Sequence, residues 1–147
     1  MKDLDRQICR ILQENGRLSL SEVADLINSS VPTVSEHVKK MDADGTIVGY
    51  HAVIDPQAAG LDVTAFVFVD VDTSMNYDSF RKQCRLRKEI LEEHAITGTS
   101  SHMMKIRVEN TSALEQLLSV IQRWKGVTKT LTNVVLSTHK ETTNLPL

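Results

Sequence analysis

Between Ser30 and Met41 the chain places Val34, Val38 and Met41 at helical spacing on one side. Pro32, Thr33, Glu36, Lys39 and Lys40 then project from roughly the opposite side. These residue types suit contact with a DNA groove. Thr33, Ser35 and Glu36 have the length to reach base edges, Glu36 as acceptor for a cytosine amino group. Lys39, Lys40 and the earlier Arg17 suit phosphates, and a protonated His37 suits either. The same residues also describe an ordinary solvated helix face in a module used for protein contact.

A second set of groups lies at Gly98-Thr99-Ser100-Ser101-His102. Glycine brings the backbone close to a ligand, free N–H groups take a carboxylate, and hydroxyls accept from an ammonium group. Thr132, with Thr130 and Asn133, faces this site across a subunit contact in the same reading. The plainer alternative is a hairpin turn built of turn-formers. Catalytic chemistry has little support. Adjacent Ser101 and His102 on a strand point to opposite faces, and no GxSxG elbow is present. His37, His51, His94, His102 and His139 lack metal-ligand spacing. Neither an enzyme nor a cofactor is expected. Cys9 and Cys84, far apart and inside helical patterns, read as half-buried thiols of a reducing cytosol.

The elements that must hold these groups divide the chain in two. Leu4, Ile8, Ile11 and Leu12 predict a first helix that Gly16 stops. Ser19 and Glu22 predict a capping box for a second helix with Leu20, Val23 and Ile27 inside. A third starts near Ser30 and ends at Gly45, with Pro32 tolerated in its first turn. Asn28-Ser29-Ser30 joins the last two, the layout of a helix-turn-helix. Residues 1–46 therefore read as a three-helix module, and 47–60 as a wing or linker strand broken by Asp55-Pro56 and Gly60.

Residues 61–147 alternate differently. Strands are expected at Thr64–Val71, Ile90–Thr97, His102–Val108 and Val127–Lys140. One helix is marked by Tyr77, Phe80 and Cys84, and another by a Ser112/Glu115 capping box with Leu114, Leu117, Leu118 and Ile121. The order βαββαβ is the ferredoxin-like arrangement, giving an α+β chain. Its first strand is apolar on both faces, through Ala65/Val67/Val69/Val71 and through Phe66/Phe68. A monomer would leave one face bare, so self-association through the sheet is expected.

Charge argues for the same conclusion. Up to Gly60 there are six basic against nine acidic side chains, net −3, although phosphate contact is the main source of DNA affinity. A lone copy should bind weakly, and paired copies should bind together. No apolar run reaches membrane-span length and the start lacks signal-peptide shape, so a cytoplasmic protein with no membrane partner is expected.

These residues resemble the Lrp/AsnC (feast/famine) family of transcriptional regulators over nearly the whole chain. The likeness rests on Leu4-Asp5, Ile8, Ile11-Leu12 and Arg17, then Ser30, Val34, Val38 and Met41. It continues through Gly45, Ile47, Gly49-Tyr50, Asp55-Pro56, Gly60, Ile96-Thr97-Gly98, Gly126-Val127, Thr132, Val135-Leu136 and His139-Lys140. The resemblance implies an N-terminal winged helix-turn-helix and a C-terminal domain for effector binding and oligomerisation. It implies dimers of the homo-oligomeric type assembling to tetramers or octamers, with double-stranded DNA as target and amino acids or related metabolites as effectors. Glu36 and His37 stand where family members usually carry Arg, and Ser101 where amino-acid binders carry an acidic residue. Rival readings are an effector-independent architectural DNA-binding protein and an enzyme of the sirohaem decarboxylase type on the same layout.

Overall fold

The computed structural model describes residues 2–147. They form two compact units, one holding the chain up to Val53 together with Lys140–Leu147, the other Ile54–His139.

In the first unit, α1 (Asp3–Glu14), α2 (Leu20–Leu26) and α3 (Val31–Ala43) surround a small apolar core. Ile8, Val23 and Val34 are fully enclosed, one from each helix. Local chemistry sets the ends. Glu22 Oε2 accepts from the Ser19 N–H at 2.7 Å while Ser19 Oγ accepts from the Glu22 N–H at 3.2 Å, a reciprocal box that starts α2. Ser30 Oγ accepts from the Thr33 N–H at 3.3 Å and starts α3. Asn28, at φ 51°, makes the left-handed bend between them.

The end of the chain packs here too. Leu147 lies against this core, Arg10 Nε donates to the Leu147 carbonyl at 2.8 Å, and the Leu145 N–H donates to Gln13 Oε1 at 2.7 Å. Residues 140–147 therefore belong with the helices, whereas the sequence reading ran the second domain from 61 to 147. An apolar side chain meeting an apolar helix side, with polar α1 side chains satisfying its backbone, accounts for the difference.

The second unit holds β1 (Val63–Val71), α4 (Tyr77–Arg85), β2 (Ile90–Ala95), β3 (His102–Val108), α5 (Thr111–Ile121) and β4 (Val127–Val134). The sheet order is β2-β3-β1-β4 with every neighbouring pair antiparallel, a ferredoxin-like α+β fold. Both helices cover one side: Phe80 and Cys84 of α4 and Leu114, Leu117 and Ile121 of α5 share a core with Ala65, Val67, Val69 and Val71. The register puts Phe66 opposite Lys105 and Asn133, and Phe68 opposite Met103 and Leu131, so these line the other side. Leu131 is 55% exposed there.

Five expectations need correction. The stretch 47–54 forms no strand, and Val48 and Val53 stand 92% and 97% exposed; an extended segment becomes a strand only beside another, and this chain offers it none. β4 stops at Val134 rather than Lys140 because its neighbour β1 begins at Val63, the last rung being the Val135 N–H to the Thr64 carbonyl at 2.8 Å. β2 ends at Ala95 rather than Thr97, as the hairpin closes with the Ile96 N–H donating to the Ser101 carbonyl at 3.0 Å. Helix α5 is capped by Asn110, whose side chain accepts from the Ala113 N–H at 2.9 Å, so Ser112 lies inside the first turn and makes no capping box with Glu115. Cys9 and Cys84 are fully rather than half buried, and burial pushes the Cys84 thiol up to about 12.

Candidate nucleic-acid interface and ligand-binding turn

Val34, Val38 and Met41 are buried, which turns Pro32, Glu36, Lys39 and Lys40 of α3 outward to solvent. Thr33 and Ser35 are half-buried at the edges of that face. Thr33 Oγ1 lies 2.7 Å from Ser30 Oγ, so its hydroxyl is tied into the helix start while keeping acceptor capacity. Arg17 is exposed in the loop between α1 and α2.

His37 departs from the expected role. Its Nδ1 lies 2.6 Å from Asp5 Oδ1, and the imidazole is turned back toward α1 instead of standing free on the outer face. Asp5 Oδ2 also accepts from the Lys2 N–H at 3.2 Å, so one buried carboxylate ties the start of α1 to the middle of α3. The His37 hydrogen bond is the main cause of an Asp5 pKa held below the usual carboxylate value, against the opposing effect of burial. The three-residue spacing of Lys2 and Asp5 signals the local contact at the start of α1, while the His37 contact, 32 residues away, has no local signal.

At the candidate turn, Gly98 adopts φ 113°, a left-handed conformation that an L side chain rarely takes, with open space where a Cβ would be. Gly98 and Thr99 are exposed and Ser100 half-buried. Ser101 is a strut rather than a free ligand group. Its hydroxyl accepts from the Val71 N–H at 2.9 Å, donates to the Val69 carbonyl at 3.1 Å and lies 2.8 Å from His102 Nδ1. With one hydroxyl proton directed to Val69, His102 Nδ1 must be the donor to Ser101.

His102, expected at the ligand surface, is instead completely buried. Its ring sits 4.6 Å from Tyr77 and 4.8 Å from Phe80, because it pairs with Val69 on the helix-covered side of the sheet. Its Nε2 lies 3.8 Å from Glu93 Oε1, and both atoms are enclosed without a hydrogen bond among the described residues. Burial lowers the His102 pKa, Arg81 adds to that effect, and Glu93 opposes it. Glu93 was not legible as a buried group, since Glu92-Glu93 reads equally as a solvated pair.

Thr132 pairs with Val67, whereas His102 pairs with Val69, so two strand spacings and a two-residue offset, about 12 Å in all, separate them within one chain. Asn133 lies on the opposite face from Thr132. The structure thus unites Gly98, Thr99, Ser100 and Ser101 in one turn and leaves Thr132 apart from them. Among the described residues, no group of three or more His, Cys, Asp or Glu is placed to hold a metal ion. Among the described residues, no helix is long and apolar enough to cross a membrane.

Residues 1–48 match the model of a winged helix-turn-helix DNA-binding domain, and residues 64–145 that of the Lrp/AsnC ligand binding domain. The chain belongs to the Lrp/AsnC family. It is 34% identical to the HTH-type transcriptional regulator FL11 of Pyrococcus abyssi over 147 residues, all of this chain and 97% of the relative. A transcriptional regulator of Neisseria meningitidis, solved in complex with L-Met, superposes with a TM-score of 0.94 at 26% identity, covering 99% of this chain and 96% of that one. The feast or famine regulatory protein of M. tuberculosis, complexed with L-methionine, gives 0.91 at 29% identity, covering 98% and 97%. As an Lrp/AsnC member the chain is a transcriptional regulator, with α3 inside the matched helix-turn-helix region and the Gly98 turn inside the matched ligand-binding domain.

Proposed function

We propose that this Lrp/AsnC regulator acts in the cytoplasm as a homo-oligomer without enzymatic activity, and that an amino acid or related metabolite modulates its assembly and its affinity for duplex DNA. The observation that carries the reading is the outward face of α3, where Pro32, Glu36, Lys39 and Lys40 are all exposed over a buried Val34/Val38/Met41 side. In this reading α3 enters the major groove, Thr33, Ser35 and Glu36 meet base edges, and Arg17, Lys39 and Lys40 meet phosphates. His37 supports the face by fixing α3 to α1 through Asp5. The effector sits between subunits at Gly98, Thr99 and Ser100, positioned by the Ser101 strut, and the L-methionine complexes of the two related regulators support an amino acid there.

Dimers bring two copies of α3 to half-sites about one helical turn apart, or a multiple of that. The effector shifts affinity by linkage, typically with about 1–3 kcal/mol of coupling. Gel shifts with Lys39→Ala/Lys40→Ala test the DNA face. The expected outcome is weaker binding to every sequence and a shallower salt dependence, because two phosphate contacts are lost. Unchanged shifts across a salt series would remove the proposed groove face.

A further inference from the structure

Where β3 ends, the second unit carries a cleft of about 350 Å³ that no part of the reading above uses. Val108, Leu117 and Val120 give it an apolar lining, while Arg87, Glu89 and Gln116 bring polar groups to it. From His102 to Val108, β3 spans about 20 Å, so this cleft and the Gly98 turn occupy opposite ends of one strand. They are separate places.

Arg87 and Glu89 carry the argument. Both are half-buried, and the side chain of neither forms a hydrogen bond or ion pair with any described residue. Partial burial of a charge is unfavourable unless a partner meets it, and here two opposite charges border one cleft without closing on each other. Arg107 and Glu109 also line the cleft and repeat the same pairing of signs, with the Arg107 guanidinium already donating to Thr64 Oγ1 at 3.0 Å. The complement to an apolar lining flanked by a guanidinium and a carboxylate is a zwitterion bearing an apolar side chain. Its carboxylate suits the planar donor fork of Arg87, its ammonium suits Glu89, and its side chain suits Val108, Leu117 and Val120. The volume falls within the range of small-molecule sites.

We infer that this cleft is a second small-molecule site, taking an α-amino acid with an aliphatic or thioether side chain independently of the Gly98 turn. The test is calorimetric titration of the full chain with L-leucine and L-methionine, run also with 4-methylpentanoate and isoamylamine, which keep only one of leucine's two charged groups. Two sites per chain are expected for the amino acids, and at least tenfold weaker binding of either analogue at the cleft. Arg87→Gln and Glu89→Gln each weaken one of the two sites at least tenfold, while Ser100→Trp weakens only the other. Hydrogen-exchange protection of the peptides holding Arg87 and Val120, retained in Ser100→Trp, gives a readout that does not depend on the cleft variants. A single site lost in Ser100→Trp and untouched by Arg87→Gln overturns the cleft and leaves the turn standing. Binding lost in Arg87→Gln but retained in Ser100→Trp supports the cleft and removes the turn. No heat with either amino acid, or equal affinity for the singly charged analogues, overturns the inference.

Discussion

His102 shows how one residue changes meaning once its surroundings are known. In the chain it follows the turn-formers Gly98-Thr99-Ser100-Ser101 and reads as a ligand group; in the fold it is enclosed by Tyr77, Phe80 and Glu93. Its lowered pKa has a consequence for stability with a definite sign. The neutral ring is favoured in the folded state, so below the ordinary value of 6.5 the unfolded chain binds more protons than the folded one. Stability is complete above about pH 6.5 and falls as pH drops from there toward the lower folded value. Thermal melts from pH 8 to pH 5 should show the second unit losing stability through this window, and His102→Gln should flatten that part of the profile. A profile identical in the variant would mean that His102 does not titrate differently on folding. The Asp5–His37 contact makes the complementary point: a histidine of α3 expected on the outer face is turned inward by an acidic partner 32 residues away in sequence.

At the scale of elements, the capping chemistry was largely legible because it is local. Ser19 with Glu22 and Ser30 behaved as their spacing predicts, since a cap needs only three neighbouring residues to agree. Where two candidate caps compete, as Asn110 and Ser112 do, packing of Leu114, Leu117 and Ile121 selects the phase of the helix and with it the cap. The turn before β4 is set by closer geometry. Gly126 has φ 87°, and a Cβ there would meet Asn76 Cβ at 2.7 Å and Asp72 Oδ1 at 2.9 Å. Its carbonyl also accepts from the Asp72 N–H at 2.8 Å, pinning the end of β1. Gly126→Ala should therefore destabilise the second unit by about 1–3 kcal/mol, from backbone strain and overpacking together. Chemical denaturation with separate probes for the two units would check it, and an unchanged midpoint for the second unit would contradict the assignment.

For the whole molecule, the open side of the sheet is the feature with most consequence. Phe66 and Phe68 are half-buried, Leu131 beside them is 55% exposed, and the first unit carries a net negative formal charge. The proposed remedy for both is self-association, which covers the apolar face and supplies a second recognition helix. Phe68→Asp places a charge in that face and should shift sedimentation toward the monomer, with loss of tight DNA binding at the same protein concentration. A variant that sediments as the parent does would place the contact elsewhere. The amino-acid sequence alone determined the helix-turn-helix, the βαββαβ order and the two-sided apolar character of β1, because helix and strand periodicities and turn-formers act over a few residues. Only the tertiary structure decided that 47–54 lacks a strand partner, that the chain's last residues lie on α1, and that His37 and His102 turn inward. It alone brought Arg87 and Glu89 to one apolar cleft. Those outcomes depend on which distant groups become neighbours, and burial, pairing and desolvation have no value until that is settled.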